Sequence, residues 1–284
     1  MKDFRIGVII DSFKKGFHEG VLSARLVGAA GIQVYAVDGE MDVKNLTDEI
    51  IREKMHFIND NGLEVSAICG DLGGHGFEIA SDNPYKIEHS KRIMDLALKM
   101  GTPVVTTHIG VIPEDAASEG YLVLQDSCCK MGKYATEAGG IFAIETGPET
   151  SAVLRRFLDS LSVRGVGVNL DPANLVMVTG DDPVQAVNTL KPYIVHTHAK
   201  DGRRLRKSDP REIYGFFADG GIEDFRIWEY FEETPLGKGD VDFPKYLDAL
   251  KSIGYSGYLT IEREVGDDPE TDIRSAVDFL KNLI

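Results

Sequence analysis

Eight short apolar runs rich in β-formers alternate with longer stretches of helical period, and this alternation restricts the chain to a parallel sheet wrapped by helices. The runs are RIGVII from Arg5, IQVYAV from Ile32, EVSAIC from Glu64, PVVTTH from Pro103, GIFAIE from Gly140, GVGVNL from Gly165, YIVHTH from Tyr193 and GYLTIE from Gly257. Between them, LTDEIIREKMHFINDNG carries Thr47 as an N-cap and Gly62 as a stop, and NPYKIEHSKRIMDLALKMG closes at Gly101. Eight βα units of roughly thirty residues fill the chain without remainder, which predicts a closed (β/α)8 barrel, residues 1–284 as a single domain, over an open doubly wound sheet.

One segment breaks the rhythm. From about residue 201 to 239, after the seventh run, a long polar and aromatic stretch containing Phe216, Phe217 and Trp228 precedes a helix that starts near Phe243. Leaving the carboxyl end of a strand, such an insertion lies on the catalytic side, where it caps the site or meets a neighbouring subunit of a homo-oligomer. Its basic cluster, Arg203, Arg204, Arg206 and Lys207, is flanked by Asp201 and Asp209 and reads as a solvated loop.

Composition narrows the partners. A formal charge of −15 without a basic stripe repels a phosphate backbone, so nucleic acid is not expected as a ligand. No apolar stretch is long enough to span a bilayer, so no membrane association is expected. Cys69, Cys128 and Cys129 form no CxxC pattern, and the start runs straight into a strand without a signal-peptide layout, which places the chain in the reducing cytoplasm. Cys128 and Cys129 read as small, partly buried helix residues.

In a barrel, side chains at the carboxyl ends of strands face one shared cavity. Asp11, Asp38, Asp71, His75, His108, Glu145, Asp171, His198 and Glu262 all lie at or just after such an end, whereas His18, His56 and His89 fall in helix-like surroundings. Glu145, Asp171, His198 and Glu262 come from four consecutive runs and can converge on one point. Three carboxylates and an imidazole make a hard, anionic donor set suited to Mn2+, Mg2+ or Co2+ and open to Zn2+ or Fe2+. The bland reading is that these acids form ordinary ion pairs with Lys200, Arg263 and backbone amides. His196, two residues before His198, points to the same barrel face one layer deeper. The glycine-rich segments GDLGGHG from Gly70 and PLGKGD from Pro235 are candidate phosphate cradles or simply tight turns, and neither matches a P-loop.

At these residues the chain resembles the sugar phosphate isomerase/epimerase group, the xylose-isomerase-like barrels. The resemblance rests on IETG at 144–147, NLDPANL at 169–175, HTHAKDG at 196–202, PLGKGDVDF at 235–243 and YLTIERE at 258–264. It implies a divalent metal held by Glu145, Asp171, His198 and Glu262, with Glu145 and Glu262 also moving a proton at the substrate carbon. It implies substrate or outer-sphere contacts from His108 and Asn174. Lys200 and His75 join them as polar residues facing the cavity, and Lys200 and His108 are candidate acids. Arg204 stands six residues beyond His198, the spacing of an arginine in ketose 3-epimerases. The DNA-repair branch of the group needs a histidine at position 174, where this chain has Asn174.

The expected function is therefore a metal-dependent isomerase or epimerase moving a proton next to the carbonyl of a small carbohydrate. The same four donors also serve a dehydratase or lyase acting on an inosose or keto-sugar, and a barrel that only binds sugar is the non-enzymatic alternative.

Overall fold

The computed structural model describes residues 4–222 and 225–284. Eight parallel strands close a barrel: β1 (Arg5–Ile9), β2 (Gly31–Tyr35), β3 (Glu64–Cys69), β4 (Val104–Thr107), β5 (Ile141–Glu145), β6 (Val166–Leu170), β7 (Ile194–Ala199) and, after an excursion, β10 (Tyr258–Ile261). Each neighbours its predecessor, β10 pairs with both β7 and β1, and all eight expected runs supply a strand.

Outside lie α1 (Phe17–Val27), α2 (Asp48–Asp60), α3 (Asn83–Lys99), α4 (Glu119–Ala138), α5 (Ser151–Ser160), the short α6 (Pro172–Asn174), α7 (Pro183–Leu190), α9 (Phe243–Ser252) and α10 (Pro269–Lys281). Their boundaries follow local chemistry. Thr47 Oγ1 accepts the Ile50 N–H at 3.3 Å to start α2, and Gly62 and Gly101 take the left-handed conformation just past α2 and α3. The main core is the shell between strands and helices, where Ile93, Leu124, Phe157, Leu190, Leu250 and Val277 are fully buried. Among the described residues no helix is long and apolar enough to cross a membrane.

The insertion is not the loop its polarity predicted. β8 (Asp201–Arg204) and β9 (Phe231–Thr234) form an antiparallel ribbon outside the barrel, with α8 (Pro210–Ala218) between them, capped by Asp209. Arg203 and Arg204, expected in a solvated loop, are strand residues, and Arg204 donates to the Thr179 carbonyl at 2.8 Å. Apolar burial explains the order: Ile213 packs with Ala173, Met177 and Val178, and Tyr214, Phe225, Tyr230 and Phe231 close around them. That cluster ties the insertion to the π-helical turn Leu175–Thr179 after β6.

Candidate metal centre

Four strand ends deliver four donors. Glu145 is the last residue of β5, Asp171 follows β6, His198 lies in β7 and Glu262 follows β10. One donor atom from each lies within 4.8 Å of the others, and all four residues are buried. His198 Nδ1 is central, 3.5 Å from Glu145 Oε1, 3.4 Å from Asp171 Oδ2 and 3.3 Å from Glu262 Oε2. Asp171 is also fixed from its other oxygen, because Oδ1 accepts the Asn174 N–H at 2.9 Å as the cap of α6.

The electrostatics are those of a cation site. Burial alone penalises charge on His198, yet the Glu145 and Glu262 carboxylates outweigh it and hold the imidazole pKa well above its ordinary value. Burial raises the Asp171 carboxyl despite its contact with His198. Glu262 is opposed by burial too, but Lys200 and His198 pull it below the usual carboxylate range. Three buried carboxylates around one imidazole leave negative charge in excess, and a dication bound by them removes that cost. The donor set therefore fits a divalent metal.

Below the donors lies a polar layer. Gln33, in the middle of β2, points into the barrel: its Nε2 donates to Thr106 Oγ1 at 3.2 Å, and its Oε1 faces the Nε2 atoms of His196 and His198 at 3.0 and 3.3 Å. Asn169 Nδ2 donates to Glu145 Oε2 at 3.0 Å. His196 is buried one layer below His198, as its spacing predicted, and burial followed by the nearby His198 charge keeps its pKa well below the ordinary value.

Around the donors stand most of the expected contacts. Asn174 Nδ2 donates to Glu145 Oε1 at 3.1 Å. His108 Nδ1 lies 3.0 Å from Asp71 Oδ2, while its Nε2 is unpartnered 3.8 Å from Glu145 Oε1. Burial works against charge on His108, but Glu145 and Asp71 raise its pKa to about 9. Lys200 donates to Glu262 Oε2 at 3.1 Å and to Glu264, and lies 3.8 Å from Glu233 Oε2. Lys200 and its neighbour Asp201 face opposite sides of the extended chain, so the lysine turns to the site and Asp201 to the insertion. His75 is not brought to the cluster: it sits in the rim loop after β3, 2.9 Å from Asp219 Oδ1 at the end of α8.

The two glycine-rich segments hold carboxylates of this chain. Gly73 N–H donates to Asp71 Oδ1 at 2.9 Å. Asp201 Oδ2 accepts from Gly237 and Gly239, each at 2.9 Å, and Oδ1 accepts from Gly202 at 2.9 Å and Val241 at 3.2 Å. A side chain at Gly239 would collide with that carboxylate.

The sequence matches the xylose isomerase-like TIM barrel family over residues 22–283. The chain belongs to this family. Among solved structures, this xylose isomerase-like barrel is similar to a xylose isomerase domain protein from Planctomyces limnophilus, with 26% identity, a TM-score of 0.80 and coverage of 99% of this chain and 96% of the other. It shares its fold with the 3-keto-D-glucoside 4-epimerase of E. coli, at 19% identity and a TM-score of 0.72 over 99% of this chain and all of the other, 100%. Among curated relatives, an inosose dehydratase of Bacillus thuringiensis (strain Al Hakam) is 22% identical over 78% of this chain and 64% of its own length. One from Lacticaseibacillus casei is 27% identical over 42% of this chain and 37% of its own. The matches thus span less than two thirds of these curated relatives.

Sequence alone did not mark Gln33 and Asn169, which touch the donors, or Glu233 and Glu264, which touch Lys200 beside them. Asn169 and Glu264 each stand two residues from a predicted ligand, in phase with it, and that spacing is a usable signal. Glu233 carries none, because the insertion that brings it has no repeat to set its phase.

Proposed function

We propose that the chain is a divalent-metal-dependent isomerase or epimerase that moves a proton next to the carbonyl of a small carbohydrate. The observation that carries this reading is the convergence of Glu145 and Glu262 on one buried point from β5 and β10, strands separated by β6 and β7 around the barrel. Glu145, Asp171, His198 and Glu262 would hold Mn2+, Mg2+ or Co2+. Such a cation supplies polarisation of a vicinal carbonyl and hydroxyl and offsets the developing enediolate charge.

The side chains divide the remaining work. Glu145 accepts hydrogen bonds from the amides of Asn169 and Asn174, which orient it as a base, and His108 Nε2 stands 3.8 Å from it. Glu262, on the other flank, returns the proton to the opposite face of the carbon in an epimerisation. Asn174, and His108 through its free Nε2, line the approach and contact substrate hydroxyls.

A second reading is favoured by one contact. Lys200 places an ammonium 3.1 Å from Glu262 Oε2, so one flank carries a base and the other a proton donor. That asymmetry suits loss of a β-hydroxyl, the reaction class of a dehydratase, and inosose dehydratases are among the similar proteins.

The test is to strip the protein with a chelator, restore single metals, and follow deuterium entry from D2O into ketoses, inososes and keto-sugars by NMR. Metal-dependent exchange that vanishes in Glu145→Gln and Glu262→Gln supports the proposal. Formation of an unsaturated product favours the dehydratase. Failure to bind any metal refutes both.

A further inference from the structure

We propose that the site selects uncharged polyhydroxy ketones and rejects their phosphate or carboxylate counterparts, with Glu264 and Glu233 screening Lys200 as the specificity device. This rests on the carbohydrate reading above and names the substrate class within it.

An anionic substrate group needs either free backbone amides or an uncommitted cation. Of the two glycine-rich segments where such amides are expected, the one from Pro235 is filled by a carboxylate of this chain and the one from Gly70 is filled in part. Asp71 takes the Gly73 amide, and Asp201 takes those of Gly202, Gly237, Gly239 and Val241. A phosphate at the second segment would have to expel a carboxylate that already accepts four N–H groups.

The cations beside the donors are engaged as well. Lys200 is buried against Glu262, Glu264 and Glu233. Arg263 is held by Glu233 Oε1 at 2.6 Å and Asp272 Oδ2 at 2.8 Å. His108 is tied through Nδ1 to Asp71, and its open Nε2 faces the Glu145 carboxylate 3.8 Å away. Even with a dication among Glu145, Asp171 and Glu262, carboxylates outnumber the charges that compensate them, so a further anion meets net repulsion.

Glu264 is the adjustable member. Its side chain is 59% exposed while its partner Lys200 is 3% exposed, so it stands between the ammonium and solvent. Neutralising it uncovers part of the lysine charge toward an entering ligand. Glu233 also accepts the Glu264 backbone N–H at 3.1 Å, which fixes the segment.

The test uses the Mg2+-loaded full chain. Calorimetry compares D-fructose and scyllo-inosose with D-fructose 6-phosphate, and amide NMR follows titration with inorganic phosphate. The expected result is that a neutral ketone binds about tenfold or more tightly than the ester, that Glu264→Gln narrows the gap, and that phosphate leaves the Gly73, Gly237 and Gly239 signals unmoved. An ester that binds as well as the neutral sugars, or phosphate-induced shifts at those glycines, overturns the proposal and leaves proton-transfer chemistry standing. Absence of proton exchange with every sugar strikes instead at the function, and the phosphate titration still decides the state of the cradles.

Discussion

Gln33 Oε1 lies 3.3 Å from His198 Nε2, beneath the ring whose Nδ1 faces three carboxylates. Because Gln33 Nε2 is committed to Thr106, Oε1 is the atom presented to the imidazole, and it can only accept. A metal on the lone pair of Nδ1 leaves the ring hydrogen on Nε2, where Gln33 Oε1 can accept it and Asn169 Nδ2 stands 3.1 Å away. Gln33→Leu removes this control while keeping the volume similar. Metal affinity should fall about 10- to 100-fold in a competition assay with a chromophoric chelator. An unchanged affinity would show that Asn169 and packing orient the ring without Gln33.

Protons and metal compete for the same nitrogen. His198 has a raised pKa in the metal-free protein, so the imidazole is protonated at neutral pH and must lose its proton on binding. Apparent affinity should rise with pH, approaching about tenfold per unit while the free imidazole remains protonated. Calorimetry in buffers of different ionisation enthalpy should register the released proton.

Chelation should also lower thermal stability, since the metal binds the folded chain alone. At a free metal concentration of about 100 times Kd the stabilisation is about 2.7 kcal/mol, a Tm difference readable by scanning calorimetry. His198→Ala should show almost none of this metal-dependent difference.

Glu149, just after β5, is buried with Oε2 unpartnered, and burial raises its carboxyl to about 8 despite the Ile112 amide. Its folded pKa exceeds the ordinary 4.5, so the native state holds a proton that the unfolded chain has released. The stabilising contribution is complete below the unfolded value and is lost as pH rises toward the folded one. Glu149→Gln should therefore flatten the decline in stability between pH 5 and pH 8 and gain on the order of 2 kcal/mol at pH 7. Urea melts at both pH values check this, and parallel declines in both proteins would rule it out.

The barrel was legible because period, run length and turn signals agree in every βα unit, from Thr47 to Gly101. The four donors were legible because strand-end polarity is conspicuous against apolar runs. Gln33 was hidden inside such a run, where one polar residue barely alters the pattern and only the closed barrel supplies its partners. The insertion failed differently. Its order comes from Ile213, Phe225 and Tyr230 packing on Ala173 and Met177, contacts between distant segments that no local period encodes.

Asp201 offers a stability test of that insertion. Asp201→Asn replaces one accepting oxygen with a donor and leaves two buried N–H groups without a partner. At about 1–3 kcal/mol for each, unfolding should come distinctly earlier in denaturant. The loss should be greatest in hydrogen exchange at Gly237, Gly239 and Val241.

The same carboxylate gathers both feet of the excursion, joining residue 202 to residues 237, 239 and 241. Among the described residues the ribbon it closes shares no ladder with the barrel strands. Between those feet the hairpin can lengthen or shorten without shifting strand register, so the barrel floor and the wall above it can evolve at different speeds, with Glu233 the residue that holds them together.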